Sequence, residues 1–224
     1  MVSSWVVGSA FYDATATPVH GTPPPSPRRR GIVPAMKITD LELVPGRVCG
    51  ECSVCCTVMA IDKPDIQKEA GVTCRHCRGG CTIYETRPPL CRHYHCGWRQ
   101  LPILDDNWRP DLSGVFVEIE EIDGETALSM ILVGNPLKTV RQPWFIDFVA
   151  TGVRGRVKLY MGIPGPRGFK GASLPLNTRQ MHEAAGAGRA RVKDILEKEL
   201  KRLQAHTFER RVIVHTGHDF GAPQ

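Results

Sequence analysis

The chain predicts an α+β fold: a small cysteine-rich lobe organised by metal, then an antiparallel sheet with flanking helices and a C-terminal amphipathic helix. Three observations carry that expectation. All nine cysteines fall between positions 49 and 96. The stretch "GVFVEIEEIDGETALSMILV", residues 114–133, has the alternation and the Asp-Gly turn of a tight hairpin. The last third mixes strand and helix periods and ends in the amphipathic run "RARVKDILEKELKRLQ", residues 189–204. Apolar residues make up 42% of the 224, enough for a hydrophobic core.

The elements follow in chain order. Residues 1–35 include "DATATPVHGTPPPSPRRRGIVPA", rich in Pro, Ser, Thr and Arg. Such a segment buries too little apolar surface to offset ordering, so a disordered tail is expected. Met36 opens "MKITDLELVPGRVCGEC" as a compact domain would begin, and residues 1–35 read as an over-extended translation start. The cysteine lobe occupies 36–100. Within it, "DKPDIQKEAG", residues 62–71, predicts a short helix stopped by Gly71. Thr82 and Glu85 form a capping box for another, ended by Pro88 and Pro89.

Residues 101–206 form the α+β remainder of the same domain, with 207–224 as a flexible tail. In 114–133, Val115, Val117 and Ile119 alternate with Phe116, Glu118 and Glu120 about the turn at Asp123-Gly124. "PWFIDFVATG" predicts a helix, with Phe145, Phe148 and Val149 on one face and Gly152 as its stop. "RVKLYMG" returns to strand alternation through Val157, Leu159 and Met161. "GIPGPRGFKG" carries glycine at every third position, but so few triplets predict a loop rather than a collagen helix. A helix begins near Asn177 or Thr178, and Gly186 and Gly188 separate it from the last one. The final helix presents Val192, Ile195, Leu196, Leu200 and Leu203 as one stripe.

Charge and hydropathy exclude several roles. The formal net charge of +6 comes partly from Arg28–Arg30 and from the basic last helix. No basic stripe interleaved with aromatics is present, which argues against nucleic acid as a partner. No apolar run reaches the roughly 20 residues of a membrane span. The N-terminus has no early positive segment followed by an apolar one, so it does not read as a signal peptide. A cytoplasmic setting is expected, and there thiols rarely form structural disulfides.

The thiols themselves are spaced as ligands. Cys49-x2-Cys52-x2-Cys55-Cys56 is followed by Cys74-x2-Cys77-x3-Cys81-x9-Cys91-x4-Cys96. A C-x2-C turn lets two thiolates converge on one ion at about 2.3 Å each. Cys49, Cys52 and Cys55 also fit the opening of a ferredoxin pattern, but Met59 and Ala60 stand where its last Cys-Pro would be. An iron–sulfur cluster would therefore need a distant thiol such as Cys81, Cys91 or Cys96. Adjacent Cys55 and Cys56 point apart in extended chain, so one of them faces a second site or packs as an apolar thiol. Nine thiols suit two four-ligand sites with one left over, or one site with spares. Disulfides fit poorly, since nine is odd and the chain is not small.

Other groups in the segment have two readings each. His76, His93 and His95 are candidate zinc ligands or plain hydrogen-bonding neighbours. Arg75, Arg78, Arg87, Arg92 and Arg99 either offset a negatively charged thiolate centre or form a solvated basic surface. Arg87 either donates to a thiolate or pairs with Glu85 or a carbonyl while Tyr84 packs; the second is favoured. Asp105, Asp106 and Asp111 in "LDDNWRPD" fit acid–base chemistry or, more commonly, a turn with capped backbone. His215 and His218 belong to the tail. No catalytic residue is assigned.

"CGECSVCC" and "CRGGCTIYETRPPLCRHYHCGW" resemble the bacterial cysteine-cluster proteins of the CxxCxxCC type (YkgJ-like) over residues 37–100. That resemblance implies chelation of zinc or iron by Cys49, Cys52, Cys55, Cys56, Cys74, Cys77, Cys81, Cys91 and Cys96, with no settled reaction. Similar patterns in flagellin lysine methylases make an iron–sulfur enzyme or electron carrier the alternative. Against it, no glycine-rich S-adenosylmethionine loop follows a strand here. A third possibility is an interaction module with structural zinc and a protein partner.

Overall fold

The computed structural model describes residues 41–210. The expectations for the N-terminal tail, for Met36 and for His215 and His218 lie outside the described residues.

The α+β class holds, with one change to the sheet. Strands β3 (Val115–Ile122), β4 (Glu125–Leu132), β5 (Lys158–Ile163) and β6 (Ala172–Pro175) lie in that order. β3–β4 and β5–β6 are antiparallel, but β4–β5 is parallel, so the sheet is mixed rather than wholly antiparallel. A parallel neighbour needs a long crossover. Here α5 (Pro136–Thr139) and α6 (Pro143–Arg154) supply it.

The β3–β4 hairpin forms as its turn chemistry predicts. Ile122 pairs with Glu125, leaving Asp123 at φ 55° and Gly124 at φ 72° as a two-residue loop of left-handed backbone. Alternation then sorts the faces. Val115, Val117, Met130, Leu132, Leu159 and Met161 point into the main core. α6, α7 (Arg179–Ala187) and α8 (Arg189–Gln204) contribute Phe145, Val149, Met181, Val192, Leu196, Leu200 and Leu203 to that core. The predicted α8 stripe is thus buried, with Ile195 partly so. Thr178 caps α7, its hydroxyl accepting from the Met181 amide at 3.2 Å.

Gly152 does not stop α6. The helix runs on to Arg154 and is capped at Gly155. A Cβ at Gly152 would sit 2.7 Å from Leu159 Cδ1, so glycine serves close packing of helix on strand. Both short helices expected before Cys91 are absent. Residues 61–68 form a hairpin instead, β1 (Ile61–Lys63) with β2 (Ile66–Lys68), turning at Pro64-Asp65. Pro64 cannot donate in a helix interior, whereas it suits a turn. Residues 82–87 are turns, and the Thr82 hydroxyl donates to the His76 carbonyl at 3.0 Å rather than capping a helix. The segment 164–171 is largely loop, as the sparse triplets predicted.

The cysteine lobe packs along edge strand β3. Its α3 (Gly97–Gln100) lies so close that a Cβ on Gly97 would be 2.6 Å from Val117 Cγ1. On the sheet face away from the main core, Tyr94 stacks at 6.3 Å from Phe116 and donates its hydroxyl to Glu118 at 3.2 Å. Among the described residues no helix is long and apolar enough to cross a membrane.

Candidate metal centre

Two backbone turns place the first and later cysteines together. The Cys52 amide donates to the Cys49 carbonyl at 2.9 Å, closing a turn through Gly50 at φ 54°. α1 (Val54–Val58) then carries Cys55 and Cys56. The Cys74 amide returns to the Cys56 carbonyl at 2.9 Å, and the Cys77 amide to that of Cys74 at 2.9 Å. Cys77 and Cys81 form an isolated β-bridge around Gly79 and Gly80. Gly80 has φ 134°, and a Cβ there would lie 3.0 Å from the Gly50 carbonyl oxygen. The two turns therefore meet backbone to backbone, at a point where only glycine fits without strain. Cys91 sits on α2 (Pro89–His93), and Cys96 precedes α3.

All nine thiols are free and half-buried. Among the described residues no three Cys, His, Asp or Glu side chains are arranged as a metal ion would need. The Cys55 thiol donates to Cys56, which pushes Cys55 up and Cys56 down from the ordinary thiol range. Cys56 also bonds to Cys77. Burial is the main cause that raises Cys52, to about 11, and it also raises Cys77, Cys91 and Cys96. Apart from Cys56, the shifted thiols hold their protons more tightly than usual.

Two cations sit among these sulfurs. Lys68 is 8% exposed and donates to the carbonyls of Thr57 at 3.2 Å, Glu69 at 3.3 Å and Met59. Burial lowers its pKa, opposed by Cys74, Cys56, Cys55 and Cys91. Arg99 is 7% exposed; Nη1 lies 3.5 Å from Cys49 Sγ and 3.3 Å from the Tyr84 hydroxyl. Its Nε is buried with no hydrogen-bond partner. Neither side chain is in ion-pair contact with a carboxylate among the described residues. Burying a charge costs several kcal/mol; three carbonyls offset part of that at Lys68, whereas Arg99 keeps one N–H without a partner.

The remaining candidates take quieter roles. Arg87 Nε donates to the Tyr84 carbonyl at 2.7 Å and stacks 3.6 Å over its ring, the favoured reading. His76 Nε2 accepts from Arg75 at 3.2 Å, and burial lowers the pKa of His95. Asp105 caps a 3-10 turn (Asp106–Trp108) through the Asn107 amide at 2.9 Å. Asp111 pairs with Arg109 at 2.7 Å and also accepts from the Cys52 thiol. The "LDDNWRPD" stretch is a capped turn that reaches the thiols.

Sequence reasoning missed Lys68, which it placed on a helix, and the Cys52–Asp111 contact. The alternation of Ile66 and Lys68 about Gln67 was the available signal for a strand. It also missed a cleft of about 340 Å³ between Val58–Ala60 of the lobe and Glu118, Glu120 and Ser129 of the sheet. Burial, then the charge of Glu120, raises the pKa of Glu118 there.

No known protein family, curated protein or solved structure matches this chain.

Proposed function

We propose that this chain is a metal-binding protein that chelates zinc or iron through its cysteine segment, either to organise the lobe or to hold the ion for handling. The observation that carries this reading is Arg99. A buried arginine with one guanidinium N–H unpartnered, and no carboxylate in ion-pair contact among the described residues, lies beside Cys49. Thiolates are the anions within its reach. Burial favours the protonated form of Cys52, Cys77, Cys91 and Cys96, and a bound cation strongly favours the thiolate. A centre of several thiolates is net negative, and Arg99 and Lys68 offset that excess. The C-x2-C spacings and the likeness to the CxxCxxCC type point the same way. The donors are drawn from Cys49, Cys52, Cys55, Cys56, Cys74, Cys77, Cys81, Cys91 and Cys96, which close together on the ion as it binds.

Elemental analysis and a visible spectrum of anaerobically purified protein test the reading. Zinc in a colourless sample, or iron in a coloured one, supports it and separates simple zinc chelation from an iron–sulfur centre. Absence of both metals, with every thiol reacting freely before any chelator is added, overturns it.

A further inference from the structure

We infer that the cleft between the lobe and the sheet is a binding site for a small organic cation, a primary alkylamine, whose ammonium sits between Glu118 and Glu120. The site uses no cysteine and stands apart from the metal-binding reading.

Strand alternation builds its polar side. Glu118 and Glu120 are two positions apart on β3, so both leave the sheet on the face opposite Val115 and Val117 of the main core. Ser129 stands opposite Glu118 in the hairpin register. One hydroxyl holds each carboxylate. Tyr94 donates to Glu118 Oε1 at 3.2 Å, and the buried Ser129 donates to Glu120 Oε2 at 2.6 Å.

Those hydroxyls orient the two acids without neutralising them. Among the described residues neither carboxylate has an ion-pair partner. Lys170 also lines the cleft, but its Nζ lies 3.9 Å from Glu209 instead. Burial, then the charge of Glu120, raises the Glu118 pKa, as befits two acids without a countercharge. A cation bound between them supplies it.

The walls are braced before any ligand arrives. Loop 164–171, with its glycine at every third position, forms one of them. A Cβ on Gly165 would collide with the Lys170 carbonyl, and one on Gly171 would lie 2.8 Å from that of Ile163, so only glycine lets the two arms of the loop close. The Gly168 amide donates to the Ala70 carbonyl at 2.9 Å and ties the loop to the lobe. Lys68 fixes the facing edge by donating to the carbonyls of Thr57 at 3.2 Å and of Met59.

The enclosed volume is about 340 Å³, with Met59, Ile131, Pro164 and Phe169 among its apolar lining. That size suits a small molecule. The two acids call for positive charge, and the apolar lining favours methylenes over a hydrated ion. Two carboxylates also fall short of the six or more oxygens that a hard divalent ion takes. No third acidic, histidine or cysteine group joins them among the described residues.

Isothermal titration calorimetry of the full chain with butylamine tests the site, with butan-1-ol as the neutral probe of equal chain length. Butylamine should bind at one site per chain, and butan-1-ol should not bind. Glu118→Gln and Glu120→Gln should each weaken butylamine by roughly tenfold or more, as loss of a charge-assisted hydrogen bond does. Glu183→Gln, at an exposed pair on α7, should leave affinity unchanged. In the unaltered chain, titration should move the amide resonances of residues 118–120, 129 and 163–171. Absence of butylamine binding, equal binding of butan-1-ol, equal weakening by Glu183→Gln, or resonance shifts confined to other residues overturns the site.

Discussion

Between Cys49 and Cys96 the buried positions are Ile66 and Lys68; from Trp98 onward lie all the other buried hydrophobic residues of the described chain. One half of the molecule has an apolar core that includes Phe145, Leu159, Met161 and Leu196, each shielded from water. The other has turns, short elements of three to five residues and half-buried thiols. A region that small and that poor in apolar burial needs another source of stability, commonly disulfides or metal. Every thiol of the lobe is free, so no disulfide supplies that stability there.

The largest effect that tests this contrast is chelation. Structural zinc in small domains contributes about 10–16 kcal/mol of apparent folding energy. Stripping metal under reducing conditions should abolish hydrogen-exchange protection across residues 49–96 while 115–204 stay protected. Uniform loss across both halves would merge them into one cooperative unit. Next is Leu196→Ala, which removes a side chain that is 0% exposed. It should cost about 2–5 kcal/mol in urea unfolding and leave metal content unchanged. Metal loss in step with stability would break the separation.

Gly97→Ala probes the seam between the halves. Its methyl would lie 2.6 Å from Val117 Cγ1, so α3 must move. A cost of about 1–3 kcal/mol is expected, read by chemical denaturation. The smallest effect is at Glu118, whose folded pKa is raised by burial and by Glu120. Folding therefore favours its protonated form. That contribution is complete below the ordinary carboxylate range and is lost as pH climbs through the raised value. Glu118→Gln should accordingly raise the melting temperature at neutral pH by one or two degrees, with the gain vanishing as pH falls below the unfolded value. Equal gains at both pH values would remove the titration from the explanation.

Much of the sheet–helix half is legible in the residues. Alternation in 115–132, the Asp123-Gly124 turn and the α8 stripe all report local geometry that neighbours in sequence impose. The misreadings fall where contacts between distant residues decide. Gly152 looks like a helix stop until Leu159 is packed against it. Thr82 and Glu85 look like a capping box until the hydroxyl finds His76. Residues 62–71 look like a short helix until hairpin β1–β2 forms and buries Lys68.

Spacing was enough to mark nine cysteines as a group and to suggest what chemistry they suit, because C-x2-C geometry is a property of three or four consecutive residues. Which sulfur neighbours which, and which cation answers them, depended on the folded chain. Arg99 meets Cys49 across fifty residues of sequence, and the need to balance its charge there arises only once the fold has withdrawn Arg99 from water.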